Sequence, residues 1–62
     1  MRFVLEFSMD NAAFGENEIE RNAEARRILK DVSGQLLAGD RGGIRDVNGN
    51  RIGEWSIEGA EG

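Results

Sequence analysis

The residues that could carry chemistry are few, because the 62-residue chain contains no histidine and no cysteine. Imidazole acid–base catalysis and thiolate nucleophiles are therefore excluded, and zinc, which proteins hold with these two residue types, is not expected. Carboxylates are abundant, and Glu20 with Glu24 would share one helix face. Two carboxylates act as acid and base only in different environments within a cleft, for which so short a chain has little room. We expect no enzymatic activity and no cofactor.

One spacing typical of metal ligands occurs at Asp46, Asn48 and Asn50. A calcium loop of the EF-hand type would also need glycine at its sixth position and glutamate at its twelfth. Those positions hold Arg51 and Ile57. Since a hairpin turn explains the same residues, we expect no metal site.

Charge is distributed unevenly along the chain. Twelve acidic and eight basic residues give a formal net charge of -4. Four acidic residues gather around the predicted start of a helix, namely Glu16, Glu18, Glu20 and Glu24. The stretch from Arg21 to Lys30 is basic, but net acidity works against phosphate binding. We expect the acidic residues to attract a basic groove on a protein partner, as a nucleic acid would, and direct nucleic-acid binding is the alternative.

Hydrophobic periodicity predicts the elements that position these residues. Alternating apolar and polar residues predict a strand over residues 2–9. Apolar residues at three-to-four spacing predict a helix over residues 18–38, with Asn17 and Glu20 as a capping box and Gly39 as the C-cap.

Three further features concern the helix. Glu24 and Arg27 stand three positions apart, a spacing that favours an ion pair. Ser33-Gly34 is a weak point, since glycine costs about 1 kcal/mol of helix stability relative to alanine there. The alternative to a continuous helix over residues 18–38 is therefore a helix that bends or ends at this point. Ahead of the helix, Phe14 is expected to fold back onto the core.

The Asn48-Gly49 pair predicts a hairpin over residues 42–58. A two-residue type I′ turn would place Asp46 opposite Arg51. It would also put three apolar residues on one face, Ile44, Trp55 and Ile57. We favour this register because it places the tryptophan in the core.

The alternative for the hairpin is a type I turn from Asp46 to Gly49 followed by a bulge. This turn would slip the strand pairing by one residue and place Ile44 opposite Ile52. The sequence leaves both turns open.

The order of elements predicts a two-layer α+β domain, β-α-β-β, over residues 1–58. One helix packs on a three-stranded, mainly antiparallel sheet, with the first strand beside the third. Residues 59–62 are predicted to form a disordered tail. The sheet face away from the helix has no cover, and a small apolar patch suited to contacts is expected there, made of Val4, Val47 and Ile52.

Size and hydropathy bear on location and oligomeric state. Glu6 interrupts the first apolar run, and no run approaches the roughly 20 apolar residues of a membrane span, so neither a secretory signal nor a membrane partner is expected. We expect a cytoplasmic protein. A chain this short buries only about 60% of its unfolded surface, so we expect a homodimer or a monomer stabilised by its target.

Several segments resemble short uncharacterised proteins common in bacteriophages and prophages. They are the opening strand, Asp10-Asn11-Ala12-Ala13-Phe14, the helix ending Ala38-Gly39, and Ile44-Arg45-Asp46-Val47-Asn48-Gly49-Asn50 followed by Gly53-x-Trp55. The chain departs from that pattern at Ser33-Gly34. The family has no established activity, so the resemblance implies only a context. Tiny phage proteins commonly bind and block a host protein, and anti-CRISPR proteins are a prominent, often acidic group of this kind.

We therefore expect a non-catalytic phage or mobile-element protein that binds and inhibits a nucleic-acid-handling protein of a bacterial host, such as a CRISPR effector subunit. The residues expected to bind the partner are Glu16, Glu18, Glu20, Glu24, Val4, Val47 and Ile52. Two alternatives are a DNA-binding accessory or repressor protein that uses Arg21 to Lys30, and a structural homodimer.

Overall fold

The chain folds as one α-helix laid on a three-stranded antiparallel sheet, which confirms the predicted α+β class. The computed structural model describes residues 1–59. Its elements are β1 (Arg2–Phe7), a short 3-10 helix (Ala12–Phe14), α1 (Glu18–Gln35), β2 (Arg41–Arg45) and β3 (Arg51–Glu58). The strand order is β1-β3-β2, so β1 lies beside the central β3, as predicted. Beyond Gly59, the tail predicted over residues 59–62 lies outside the described residues.

The core lies between α1 and the sheet. Five apolar side chains are each at most 3% exposed, namely Phe14, Ile28, Val32, Ile44 and Trp55. The Trp55 ring stacks on Phe3 of β1 with 5.7 Å between ring centroids. Its indole Nε1 donates a hydrogen bond to Gln35 Oε1 at 2.7 Å. Phe14 folds back onto this cluster, which confirms its predicted place.

α1 begins where predicted but ends earlier, and β1 likewise ends at Phe7 rather than at residue 9. Asn17 Oδ1 accepts the N–H of Glu20 at 2.9 Å, so the predicted N-cap is confirmed. The C-cap is Leu36, and Gly39 lies beyond it. After Gly34 the backbone tightens, because Leu37 N–H donates to Gly34 O at 3.2 Å instead of one residue further back. The helix therefore ends close to the predicted weak point.

The hairpin combines the turn of one predicted alternative with the register of the other. Asp46 O accepts Gly49 N–H at 3.0 Å, and Asp46 N–H donates to Asn50 O at 2.9 Å. Gly49 has φ 85°, and no described residue other than glycine has a positive φ, which excludes a type I′ turn at Asn48-Gly49. The turn is therefore type I with a glycine bulge.

This turn corrects one predicted pairing and leaves another intact. Asp46 does not face Arg51, because Arg45 is the residue opposite Arg51. Ile52 is then an extra residue on β3, and this second bulge restores the favoured pairing of Ile44 with Gly53. The favoured register is thus confirmed along the body of the sheet, whereas the pairing of Ile44 with Ile52 is wrong.

The second bulge also changes the open face of the sheet, the one away from α1. Ile52 packs against the core, and Val47 lies in the turn with 62% of its surface exposed. The predicted apolar patch of Val4, Val47 and Ile52 is therefore wrong, since only Val4 lies on this face. The open face is instead largely polar and charged, with Arg2 and Glu6 from β1, Glu54, Ser56 and Glu58 from β3, and Arg41 from β2.

Candidate interaction surfaces

Three of the predicted acidic residues form an exposed group at the start of α1, here called the acidic end: Glu16, Glu18 and Glu20. Glu20 Oε1 accepts hydrogen bonds from Asn17 Nδ2 at 2.8 Å and from the Glu16 N–H at 3.4 Å. The Glu18 side chain is 77% exposed and lies 3.6 Å from Arg21 Nη2. The positive end of the helix dipole favours carboxylates here. The acidic end therefore presents negative charge on an ordered backbone.

The fourth predicted acidic residue, Glu24, is buried and only 7% exposed. Its carboxylate accepts from Arg27 Nε at 2.7 Å and Nη2 at 3.0 Å, which confirms the predicted ion pair. It also accepts the N–H of Val47 at 2.8 Å. The hydrogen bond from Arg27 lowers the pKa of Glu24 and outweighs desolvation by burial, which raises it. Glu24 fastens the hairpin turn to α1, so its carboxylate is not available to a partner.

Asp46 organises the turn that sequence reasoning compared with a calcium loop. It is 4% exposed, and its Oδ1 accepts the N–H groups of Asn48 and Asn50, both at 2.9 Å. Its Oδ2 accepts Asn11 Nδ2 at 2.6 Å. Burial raises the pKa of Asp46, but the hydrogen bonds from Asn50, Asn11 and Asn48 together lower it below its usual value. The carboxylate oxygens are thus occupied by N–H donors.

The open sheet face carries a shallow groove of about 600 Å³ along β2 and β3. Gly43 has no side chain to fill it, and the Arg51 guanidinium lies 3.5 Å from where a Cβ of Gly43 would stand. The groove is lined by charges of both signs, Arg41, Arg51, Glu54 and Glu58. It is open to solvent, and among residues 1–59 no group of three or more acidic side chains is placed to hold a metal ion. Such a face is suited to contact with another surface.

Sequence reasoning missed a basic surface that the hairpin completes. Three cations of α1 and three of the hairpin strands are here called the basic flank: Arg26, Arg27, Lys30, Arg41, Arg45 and Arg51. The three helical members line one shallow depression on α1, and Arg27 Nη2 donates to Arg45 O at 3.0 Å across the gap to β2. Arg21, where the predicted basic stretch began, lies beside Glu18 instead. No local signal reveals the basic flank, because its two halves lie on different elements.

Within residues 1–59 no helix combines the length and the apolar character needed to cross a membrane. Comparison of the chain with protein-family models, with curated proteins and with solved structures finds no match.

Proposed function

We propose that the chain is a non-catalytic phage or mobile-element protein that binds and inhibits a nucleic-acid-handling protein of a bacterial host. The observation that carries the proposal is the separation of charge between the acidic end and the basic flank. Glu16 and Glu18 stand exposed in an ordered helix start, whereas most cations lie elsewhere. The acidic end is the part of the surface that binds the target.

Electrostatics supports this choice of partner. A protein that handles nucleic acid presents a basic groove, and a cluster of carboxylates is attracted to such a groove over roughly a Debye length, about 8 Å at physiological salt. The Asn17 cap holds the backbone of the acidic end before binding, so little ordering entropy is lost there. The Glu24 carboxylate is buried and paired with Arg27, so it does not contribute to binding of the target.

The resemblance to small phage proteins favours a defence protein as the target. An anti-CRISPR inhibitor that occupies the nucleic-acid groove of an effector subunit is the specific form proposed. The protein then acts in the cytoplasm of the bacterial host, where such effectors work.

The basic flank supports a second candidate, which is direct nucleic-acid binding. Arg26 and Lys30 of α1 and Arg41 of β2 are exposed. Cations that lie on neighbouring elements can follow a phosphate backbone. The net charge of -4 opposes this function, because the acidic end repels the same polyanion. A specific test must therefore separate the two surfaces.

Two matched charge reversals on α1 and its start provide that test. Glu16→Lys/Glu18→Lys reverses the acidic end, and Arg26→Glu/Lys30→Glu reverses the helical half of the basic flank. Each variant is expressed in a host whose active CRISPR system targets a phage, and phage survival is counted. Circular dichroism confirms that both variants fold.

The inhibitor proposal expects protection of the phage by the wild-type chain and by the basic-flank variant, with loss of protection in the acidic-end variant. Absence of protection by the wild-type chain overturns the anti-CRISPR form. A low-salt gel shift of DNA that only the basic-flank variant abolishes would instead establish the second candidate.

A further inference from the structure

The two edges of the sheet differ in how their backbone groups are satisfied. Asp40 O accepts the N–H of Ile57 on β3. Because the direction of the carbonyls alternates along a strand, the carbonyls of Gly43 and Arg45 on β2 point away from β3. Gln35 Nε2 donates to Gly43 O at 3.1 Å, and Arg27 Nη2 donates to Arg45 O at 3.0 Å. Side chains of α1 therefore cover the β2 edge.

Within the described residues the β1 edge has no such cover. Ser8 N–H donates to Ile52 O, and the alternation of an antiparallel ladder then turns the N–H and C=O groups of Phe3, Leu5 and Phe7 outward. Arg2–Phe7 pairs with β3 without a bulge and contains neither proline nor lysine. Soluble proteins usually blunt an edge with a bulge, proline or charged side chains. Arg2 and Glu6 are the only such feature of β1, and an edge without a bulge or proline is otherwise a template for pairing with another strand.

Apolar surface accompanies this open edge. Glu24 and Gln35 mark the side of α1 that contacts the hairpin, and the helical repeat turns Leu29 and Leu36 roughly 100–140° around the helix from them. These leucines remain 51% and 41% exposed, and Phe3 of β1 remains 48% exposed. The helix therefore shields the β2 side of the sheet and leaves the β1 side partly uncovered.

We propose that β1 pairs with β1 of a second copy of the chain, antiparallel and centred on Val4. The two-fold axis at this residue places Arg2 of each copy opposite Glu6 of the other, so the strand is complementary to itself in charge. Phe3 of each copy then lies opposite Leu5 of the other, which covers the exposed ring. Both sheets join as one six-stranded sheet with α1 of each copy on the same face.

Charge selects this register over the neighbouring one that the backbone also permits. Moving the axis to Leu5 keeps outward groups opposite outward groups, but it places Val4 opposite Glu6 and Arg2 opposite Ser8. Both ion pairs are then lost. Within the described residues Glu6 makes no ion pair in its own chain, so its carboxylate is available to the second copy.

A charge exchange tests the pairing in solution. Sedimentation velocity of the wild-type chain is expected to show a dimer at high micromolar concentration. Arg2→Glu and Glu6→Arg each place like charges opposite one another, so each variant alone is expected to dimerise at least about tenfold more weakly. An equimolar mixture of the two variants restores both ion pairs and is expected to form a heterodimer.

The control and the contrary results are equally specific. Arg41→Glu reverses a charge on the β2 edge and is expected to leave the dimer unchanged. Glu6→Arg faces Glu54 within its own sheet and so keeps the fold, which makes it decisive even where Arg2→Glu, next to Glu58, destabilises the chain. A wild-type monomer at millimolar concentration overturns the proposal, as does a dimer that both variants retain.

A disulfide tests the register itself, since the chain has no cysteine of its own. Residues opposite each other in a non-hydrogen-bonded pair have Cα atoms roughly 4.5 Å apart, within the span of a disulfide. Val4→Cys is therefore expected to form a covalent dimer on oxidation. Ser56→Cys, one strand inward on the same face, is expected to stay monomeric by non-reducing electrophoresis. Equal cross-linking of both variants, or none in Val4→Cys, contradicts the proposed axis.

Discussion

The carboxylate of Glu24 accepts the backbone N–H of Val47 at 2.8 Å, so a charged side chain in the middle of α1 holds the tip of the hairpin. The same carboxylate is paired with Arg27, whose guanidinium continues to Arg45 O. These contacts join the helix to β2 and its turn through polar groups that all have hydrogen-bond partners. The position of the basic flank depends on this junction.

Removing the charge of Glu24 should therefore destabilise the fold more than removing an exposed charge. We expect Glu24→Gln to lower the free energy of unfolding by about 1–3 kcal/mol, because the buried carboxylate loses its charge-assisted hydrogen bonds from Arg27 and from the Val47 N–H. Glu18→Gln, whose side chain is 77% exposed and 3.6 Å from Arg21, is the matched control and should change it by less than about 0.5 kcal/mol. Urea unfolding followed by Trp55 fluorescence measures both, and equal stabilities would contradict the role given to Glu24.

Acid should weaken the same junction. The folded state lowers the pKa of Glu24 from its ordinary 4.5 and the pKa of Asp46 from its ordinary 3.8. The stabilisation is therefore complete above those ordinary values and is lost as the pH falls through the lower folded values. Unfolding free energies measured from neutral pH down to about pH 3 should decline most steeply at the lowest pH values of the series. The double variant Glu24→Gln/Asp46→Asn should be less stable at neutral pH and show a flatter decline, and an unchanged slope would contradict this assignment.

Gly53 should tolerate no side chain. A Cβ there would collide with the backbone of β1 at Glu6 and Phe7, whereas a Cβ at Gly39 meets nothing within 4 Å. Gly53→Ala is expected to cost roughly 1–3 kcal/mol, because either β1 or β3 must shift. Gly39→Ala is the control and should unfold at nearly the wild-type urea concentration. Equal midpoints for the two variants would show that β1 does not pack this closely on β3.

Gly34 offers the opposite case, a glycine whose replacement should stabilise. It lies in the last turn of α1, its φ is not positive, and a Cβ there meets no neighbour within 4 Å. Gly34→Ala is expected to raise the free energy of unfolding by about 0.5–1 kcal/mol through better helix propensity and a less flexible unfolded chain. Thermal unfolding by circular dichroism measures the gain. A lower melting temperature would mean that the helix must end here for the chain to reach β2.

The sequence was sufficient to predict the elements whose signals are local. Alternation in Arg2–Phe7 and the Asn17 cap are read from neighbouring residues, and both are present in the fold. The end of α1 was predicted too late, although Gly34 marked the weak point. Gln35, the last residue of the helix, bonds through its side chain to Gly43 O and to Trp55 Nε1, and these contacts fix how the end of α1 meets the sheet. Long-range hydrogen bonds of this kind have no local pattern.

The hairpin likewise combines a feature that local sequence predicts with one that only tertiary packing decides. Asp46 selects the type I turn by accepting two N–H groups of its own loop, a local preference, and the favoured type I′ turn was wrong. The second bulge at Ile52 depends on seating Ile44 and Trp55 together in the core, which only tertiary packing decides. Glu24 was expected to bind a partner, which requires exposure, because charged residues are seldom buried. Its contact with Val47 spans 23 residues and has no local signal.

The most direct test of the proposed function is the binding of target DNA by a purified CRISPR effector complex, titrated with the chain and followed by fluorescence anisotropy. We predict that the wild-type chain displaces the DNA, that added salt weakens the displacement, and that Glu16→Lys/Glu18→Lys abolishes it while Arg26→Glu/Lys30→Glu does not. DNA binding that stays unchanged at saturating wild-type chain, or a loss of displacement confined to the basic-flank variant, would contradict it.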